Sequence, residues 1–234
     1  MRIRGLFVTG TDTGVGKTVV SAALMHRYRA SAALRYWKPI QTGIEHDDDT
    51  ADVERLGGCR AGERETMGIR LPRPVSPHLA ARWHGTTISM PSVLAPLNHL
   101  PPDAPAGSPG PASGTTQWIV EGAGGVLVPI NETETMADVM SALDLPVVVV
   151  ARTALGTINH TLLTLQALRQ RALHVAGVVM VGDRNGENRD AIEKYGDVTV
   201  IGEMPYFTPL DTAAVAGWAA TGIDRDGLLL QWLR

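Results

Sequence analysis

The sequence predicts an α/β domain with a doubly wound, mostly parallel sheet and helices on both faces. Three observations carry that expectation. Short β-branched runs alternate with longer helical patterns along the chain, the order that strand–helix–strand units require. The run from Pro146 to Ala151 is almost all Val, as in strands buried on both faces of a parallel sheet. A glycine-rich stretch separates the first strand from the first helix, where sheets of this kind bind their ligands.

The elements follow in order. Ile3 to Thr9 reads as a strand, and Lys17 to Ala30 as a helix whose Ala and Leu positions suit packing on a sheet. Leu34 to Lys38 is a second strand ending at Pro39, where the chain has to turn. Thr50 to Leu56 and Met90 to Leu97 read as short helices. Gln117 to Glu121 and Pro146 to Ala151 are strands. Asn159 to Ala172 is a helix, with Leu162, Leu165 and Leu168 at helical spacing. Val175 to Val181 and Val198 to Ile201 complete a set of about six strands. Pro101 to Gly114 interrupts the pattern with five prolines and three glycines, and reads as a surface loop rather than a linker.

Composition bounds the function. The 234 residues suit one domain spanning 1–234. A formal charge of -3, from 21 Lys+Arg against 24 Asp+Glu, argues against general binding to nucleic acid or acidic membranes. The single cysteine, Cys59, excludes an intrachain disulfide framework and has no basic neighbour to activate it. No apolar run is long enough to span a bilayer, and the start of the chain lacks a secretory pattern. The expectation is a cytoplasmic protein.

The glycine-rich stretch is Gly10-Thr11-Asp12-Thr13-Gly14-Val15-Gly16-Lys17-Thr18. Strand, glycines, Gly-Lys-Thr and helix coincide as they do in a P-loop. The backbone amides and the helix N-terminus suit phosphate oxygens, Lys17 the β- and γ-phosphates, and the Thr18 hydroxyl Mg²⁺. The usual first glycine falls at Thr11, and the glycine stands one residue earlier, at Gly10. The fold class is therefore refined to P-loop NTPase-like. No Asn-Lys-x-Asp guanine motif occurs, and Thr11-Asp12-Thr13 stands where partition-type ATPases carry an extra Lys.

Three further constellations fall at the same sheet edge. Trp118-Ile119-Val120-Glu121-Gly122-Ala123-Gly124-Gly125 resembles a Walker B strand with Glu in place of Asp, so its carboxylate can hold Mg²⁺ directly or through water. Lys38, at the end of the second strand, is a candidate second cation beside the γ-phosphate, a position worth about 10²–10³ in rate. The acidic run Asp47-Asp48-Asp49 with Asp52 follows it, and one of these can complete an oxygen shell for the metal. Leu155-Gly156-Thr157-Ile158-Asn159-His160 opens a helix whose amides suit a carboxylate, and His160 reads as a structural histidine.

Together these residues resemble the dethiobiotin synthetases of biotin biosynthesis. The match runs through Thr9 to Thr13 with Val15 to Thr18, Lys38-Pro39 with Thr42-Gly43, Ser76-Pro77-His78 and Val120 to Gly125. It continues through Leu155-Gly156 with Ile158-Asn159-His160, and Gly202-Glu203-Met204-Pro205, in family order over nearly the whole chain. The resemblance implies that 7,8-diaminopelargonic acid, CO₂ (or bicarbonate) and ATP become dethiobiotin, ADP and phosphate, with Mg²⁺ required. It implies a carbamate, then a carbamic-phosphoric anhydride, then ring closure by the second amine. Lys38 and Lys17 take the catalytic positions. Thr13, Gly14, Val15, Gly16, Lys17, Thr18, Glu121, Gly122, Ala123 and Gly124 take the nucleotide, and Thr18, Asp49 and Glu121 the metal. Asp49 is favoured over Asp52 if Gly58 aligns with the family's helix-ending glycine; Leu56 as the register gives Asp52. Thr11, Lys38, Thr42, Gly156 and Asn159 are the substrate positions, the Leu155–His160 segment acting across a homodimer interface.

One departure stands out. Many family members read adenine with an Asn-Asp pair after the Val175 strand, whereas this chain has Val181-Gly182-Asp183. Base recognition is left to backbone groups near Gly182, Pro205, Tyr206 and Phe207, and the expectation is relaxed nucleotide choice, with CTP or GTP competing. The rival reading from another class is a regulatory switch ATPase of the partition type.

Overall fold

The computed structural model describes residues 3–99 and 115–233. The surface loop expected over Pro101 to Gly114 lies outside the described residues. Strand β1 (Arg4–Gly10) leads through the glycine-rich loop into helix α1 (Lys17–Tyr28). Next come β2 (Leu34–Trp37), β3 (Ile40–Thr42), α2 (Asp49–Leu56), β4 (Arg64–Glu65), β5 (Ile69–Leu71), α3 (Pro77–Trp83) and α4 (Met90–Leu94). The remaining elements are β6 (Gln117–Gly125), α5 (Met136–Leu143), β7 (Val147–Arg152), α6 (Thr157–Gln170), β8 (Val175–Val181), α7 (Gly186–Gly196), β9 (Val200–Met204) and α8 (Thr212–Gly222).

Seven strands form one parallel sheet in the order β4-β2-β6-β1-β7-β8-β9. Strands β3 and β5 pair separately as a two-stranded parallel ribbon. The chain builds one side of β1 first and the other side afterwards, so the winding reverses beside β1. That reversal opens a crevice beyond the C-terminal strand ends, the usual ligand position in open α/β sheets.

Strand alternation divides the core in two. Phe7, Trp37, Trp118, Val120 and Val149 face a layer containing residues of α3 to α7. Leu6, Val8, Tyr36, Ile119, Val148 and Val150 face a layer containing residues of α1, α2 and α8. Val147 to Val150 are entirely buried, two on each face, which explains why that strand reads as an unbroken apolar run. Each such valine contributes about 1.5–3 kcal/mol through burial.

Helix α1 is held at its far end as well. The Tyr28 hydroxyl donates to the buried Asp224 carboxylate, which also accepts the amides of Leu228 at 2.8 Å and Leu229 at 2.9 Å. The Arg27 guanidinium donates to the carbonyls of Ala220 and Asp224.

The sequence expected about six strands and the structure has a seventh in the main sheet, the two-residue edge strand β4. Strand β6 runs four residues past Glu121, through glycines of low strand propensity, because Gly125 pairs with Gly10 of β1. The second expected short helix stops at Leu94 and continues to His99 as a 3₁₀ turn.

Candidate functional site

The P-loop is shaped by close approach. A Cβ on Gly10 would stand 2.7 Å from Val15 Cγ2 and 2.9 Å from the Asp12 carbonyl oxygen. Only glycine lets the loop fold back at that point, which accounts for its one-residue offset from the usual spacing. The Asp12 carboxylate accepts the Thr13 amide at 2.7 Å, and Lys17 Nζ donates to the Asp12 carbonyl at 2.9 Å. Among the described residues no side chain caps the N-terminus of α1, and its first turn holds no acid. The amides there remain available to an anion. Burial lowers the Lys17 pKa to about 8, against the opposing pull of Glu121, Asp49 and Asp12.

Behind the loop lies a buried charged cluster. Glu121, central in β6, is fully buried beside β1 and β2. Its Oε1 receives Lys38 Nζ at 2.7 Å and the Thr18 hydroxyl at 3.1 Å. Its Oε2 accepts the hydroxyls of Ser21 and Tyr36, each at 3.0 Å. Lys38 Nζ also stands 2.7 Å from Asp49 Oδ2, and the Thr18 hydroxyl donates to Asp49 Oδ1 at 2.9 Å.

The electrostatics follow from this packing. Burial alone would lower the Lys38 pKa, but Glu121 and Asp49 together outweigh it and raise it above the ordinary value. Burial would likewise raise Asp49, but Lys38 and the Thr18 hydroxyl bond hold it below the usual carboxylate range. Burial and then Glu121 push Tyr36 well above an ordinary phenol. Thr18, Asp49 and Glu121 bring three oxygen donors together, a set suited to Mg²⁺. Among the described residues no group of three His, Cys, Asp or Glu forms a metal cage. Two carboxylates and a hydroxyl that leave the rest of the shell to phosphates and water match how Mg²⁺ is usually bound.

The acidic run separates by local geometry. Asp48 is the N-cap of α2, accepting the amides of Thr50 at 3.0 Å and Ala51 at 3.2 Å. That cap turns Asp49 toward Thr18 and Lys38, whereas Asp52 pairs with Arg55 at 2.8 Å on the surface. Arg70 of β5 braces the segment by donating to Gln41 Oε1 and, at 2.7 Å, to the Thr50 hydroxyl.

The other expected residues lie around this centre. Thr11 stays in the loop, its amide donating to Val150 at 2.9 Å, and Thr42 ends β3. Gly122, Ala123 and Gly124 run beside the P-loop, a Cβ on Gly124 lying 3.6 Å from Thr13 Oγ1. Leu155, Gly156, Asn159 and His160 are all exposed. No described hydrogen bond or ion pair joins that segment to Lys38 or Thr42. Gly182, Pro205 and Tyr206 line a cavity of about 590 Å³ that extends along edge strand β9, and Phe207 packs partly buried on the α1 side of the core. Gly182 has φ +132°, and a Cβ there would stand 2.4 Å from Thr153 Oγ1, so no asparagine fits at that position without rearrangement. Burial raises the Cys59 thiol to about 11, so it is protonated and unreactive at neutral pH.

Four residues at the site were not singled out in the sequence: Ser21, Tyr36, Arg70 and Arg152. Arg152 ends β7 and donates to the Thr13 carbonyl at 3.0 Å, with Asp12 Oδ2 3.8 Å away. Two of the four carried a signal. Ser21 is one helical turn after Thr18, and Tyr36 stands two residues before Lys38 in the strand expected from the sequence over Leu34 to Lys38.

A family model described as an AAA domain matches residues 4–214. Among solved structures, a ParA family ATPase from Chlorobium tepidum TLS aligns with TM-score 0.53 at 12% identity, covering 99% of this chain and 98% of that one. The MinC:MinD cell division complex of Aquifex aeolicus aligns with TM-score 0.51, also at 12% identity, covering 97% and 92%. These likenesses establish the fold alone. The curated ATP-dependent dethiobiotin synthetase BioD of Paramagnetospirillum magneticum is 46% identical over 92% of this chain and 94% of its own. Those of Agrobacterium fabrum and Nitrobacter hamburgensis are each 41% identical, covering 89% and 96% of both chains respectively. With that identity sustained along nearly its full length, the chain belongs to the ATP-dependent dethiobiotin synthetases, enzymes of biotin biosynthesis.

Proposed function

We propose that the chain converts 7,8-diaminopelargonic acid, CO₂ and ATP into dethiobiotin, ADP and phosphate, as a cytoplasmic homodimer using Mg²⁺. One observation carries the reading: a buried lysine, Lys38, stands 2.7 Å from both Glu121 and Asp49 immediately behind the P-loop threonine. The chemistry brings two anions together, a carbamate formed by one substrate amine with CO₂ and the γ-phosphate of ATP. The carbamate oxygen attacks that phosphorus and ADP leaves. The second amine then attacks the carbonyl of the carbamic-phosphoric anhydride, closes the ureido ring and expels phosphate.

The residues suit positioning and charge neutralisation rather than covalent catalysis. Lys38 keeps its proton and offers fixed positive charge to the carbamate and the transferring phosphoryl group. Lys17 and the loop amides from Thr13 to Thr18 hold the triphosphate. Thr18, Asp49 and Glu121 would hold the metal. When bound, Mg²⁺ supplies charge neutralisation at the phosphates. Thr11 and Thr42 stand at the substrate side, and Gly182, Pro205, Tyr206 and Phe207 at the base. The exposure of Leu155, Gly156 and Asn159, and their separation from Lys38 within one chain, support a second copy bringing them to the substrate carboxylate.

The test is phosphate release with and without the diamine plus bicarbonate. Release that needs both supports the synthetase. Release that ignores them and rises only with a protein or DNA partner supports a partition-type switch. Sedimentation that finds a fully active monomer overturns the dimer.

A further inference from the structure

We propose that Tyr36 is a positioning residue for Glu121, holding that carboxylate so that a single oxygen faces the reacting groups. The proposal rests on the role given to Glu121 above. The two oxygens of Glu121 have different neighbours among the described residues: Oε2 meets the Ser21 and Tyr36 hydroxyls, while Oε1 meets the Thr18 hydroxyl and the Lys38 ammonium. The terminal torsion of a glutamate is broad and roughly two-fold, so packing along the chain does not decide which way the carboxylate faces. Two donors converging on Oε2 decide it. They also satisfy the second oxygen of a fully buried charge, which would otherwise compete for Lys38.

The two props differ in stiffness. Ser21 lies on α1, where a hydroxyl can turn back to the helix carbonyl one turn earlier. The Tyr36 ring is fully buried among the side chains that pack α1 and α2 on the sheet, which fixes the ring and aims its hydroxyl at Oε2. Tyr36 lies in β2 and Lys38 one residue past its end, so the same short stretch of chain presents the prop and the ammonium to opposite oxygens of the same carboxylate.

Tyr36→Phe removes the hydroxyl and keeps the ring. Binding of Mn²⁺ in the presence of ADP, read from the electron-spin-resonance signal of the free ion, requires no turnover. The apparent dissociation constant is expected to rise about 10–100-fold, the usual effect of losing a residue that orients a metal ligand. The Mg²⁺ concentration for half-maximal phosphate release should rise in step, with KM for the diamine unchanged. Tyr28→Phe is the control, because it deletes an equally buried hydroxyl-to-carboxylate bond at the other end of α1. It should lower the melting temperature and leave Mn²⁺ binding as in the parent. If Tyr36→Phe does not fold, Ser21→Ala removes a donor from the same oxygen and should shift Mn²⁺ binding in the same direction. Parent-like Mn²⁺ binding in the folded variant, or equal shifts from both tyrosine variants, overturns the proposal. Glu121→Gln separates the two readings. Full turnover in that variant overturns the role of Glu121 itself, whereas its loss beside an unaffected Tyr36→Phe overturns only that of Tyr36.

Discussion

Lys38 and Glu121 meet at 2.7 Å inside the protein, the lysine one residue past β2 and the glutamate in the middle of β6. The pair shares its ammonium with Asp49, so two carboxylates and one lysine form a cluster of net charge -1 behind the P-loop. Lysine deprotonation is suppressed there, which suits Lys38 to the proposed role of fixed positive charge rather than to that of a base.

Lys38→Gln should therefore lower kcat by about 10² or more while the fold persists. The variant also leaves the two carboxylates facing one another, and loss of a buried ion-pair partner costs about 3–5 kcal/mol. Its melting temperature should fall in the absence of nucleotide and recover partly with Mg²⁺ and ATP. Near-normal phosphate release from a folded variant would rule the role out.

Asp49 and Asp52 are distinguished by the same measurement. Asp49→Asn should raise the Mg²⁺ requirement at least about tenfold, since Asp49 shares the Thr18 hydroxyl with Glu121. Asp52→Asn removes only an exposed pair with Arg55 and should leave the Mg²⁺ dependence unchanged. The reverse outcome would move the metal site by one helical turn.

Lys17 gives nucleotide binding a pH dependence. Its pKa of about 8 in the folded protein lies below the ordinary lysine value of 10.5. Phosphate favours the ammonium, so binding takes up a proton once pH exceeds about 8, and affinity then falls by up to about tenfold per pH unit. The same shift makes the Lys17 contribution to stability rise with pH from about 8 to 10.5, where the unfolded chain still holds the proton the folded one has released. Calorimetry of a non-hydrolysable ATP analogue in two buffers reads the uptake directly. Lys17→Met should abolish it, and a pH-independent affinity in the parent would refute the assignment.

Nucleotide choice should be broad. Turnover with the four triphosphates at subsaturating concentration should differ by less than about a hundredfold, because no side-chain amide at position 182 reads the base. Gly182→Asn should not restore selectivity. With φ at +132° and a Cβ 2.4 Å from Thr153 Oγ1, it should instead destabilise the fold by about 1–3 kcal/mol. A hundredfold preference for ATP in the parent would refute the expectation.

The strands with continuous apolar sequence were legible because burial on both faces leaves an unambiguous run; Val175–Val181 is identical in sequence reading and structure. What escaped was local or long-range in origin. β4 has only two residues, and β3 and β5 owe their existence to each other. Helix α5 announces itself through a capping box between Thr135 and Asp138 rather than through length. At the site, motif residues were legible because their chemistry is tied to spacing. Tyr36 and Ser21 carried a spacing signal but not their role, because the role proposed for them depends on a carboxylate far away in sequence that only the fold brings within reach.

The far end of α1 gives a practical boundary. The family match ends at residue 214, yet the acceptor for Tyr28 is Asp224, in the segment that follows α8. The helix whose first two turns carry Lys17, Thr18 and Ser21 is thus fastened by residues that lie beyond the span of that family model. A chain trimmed to that span would keep every motif residue and lose the buried carboxylate that ties down the end of α1 opposite the site, at a cost in stability.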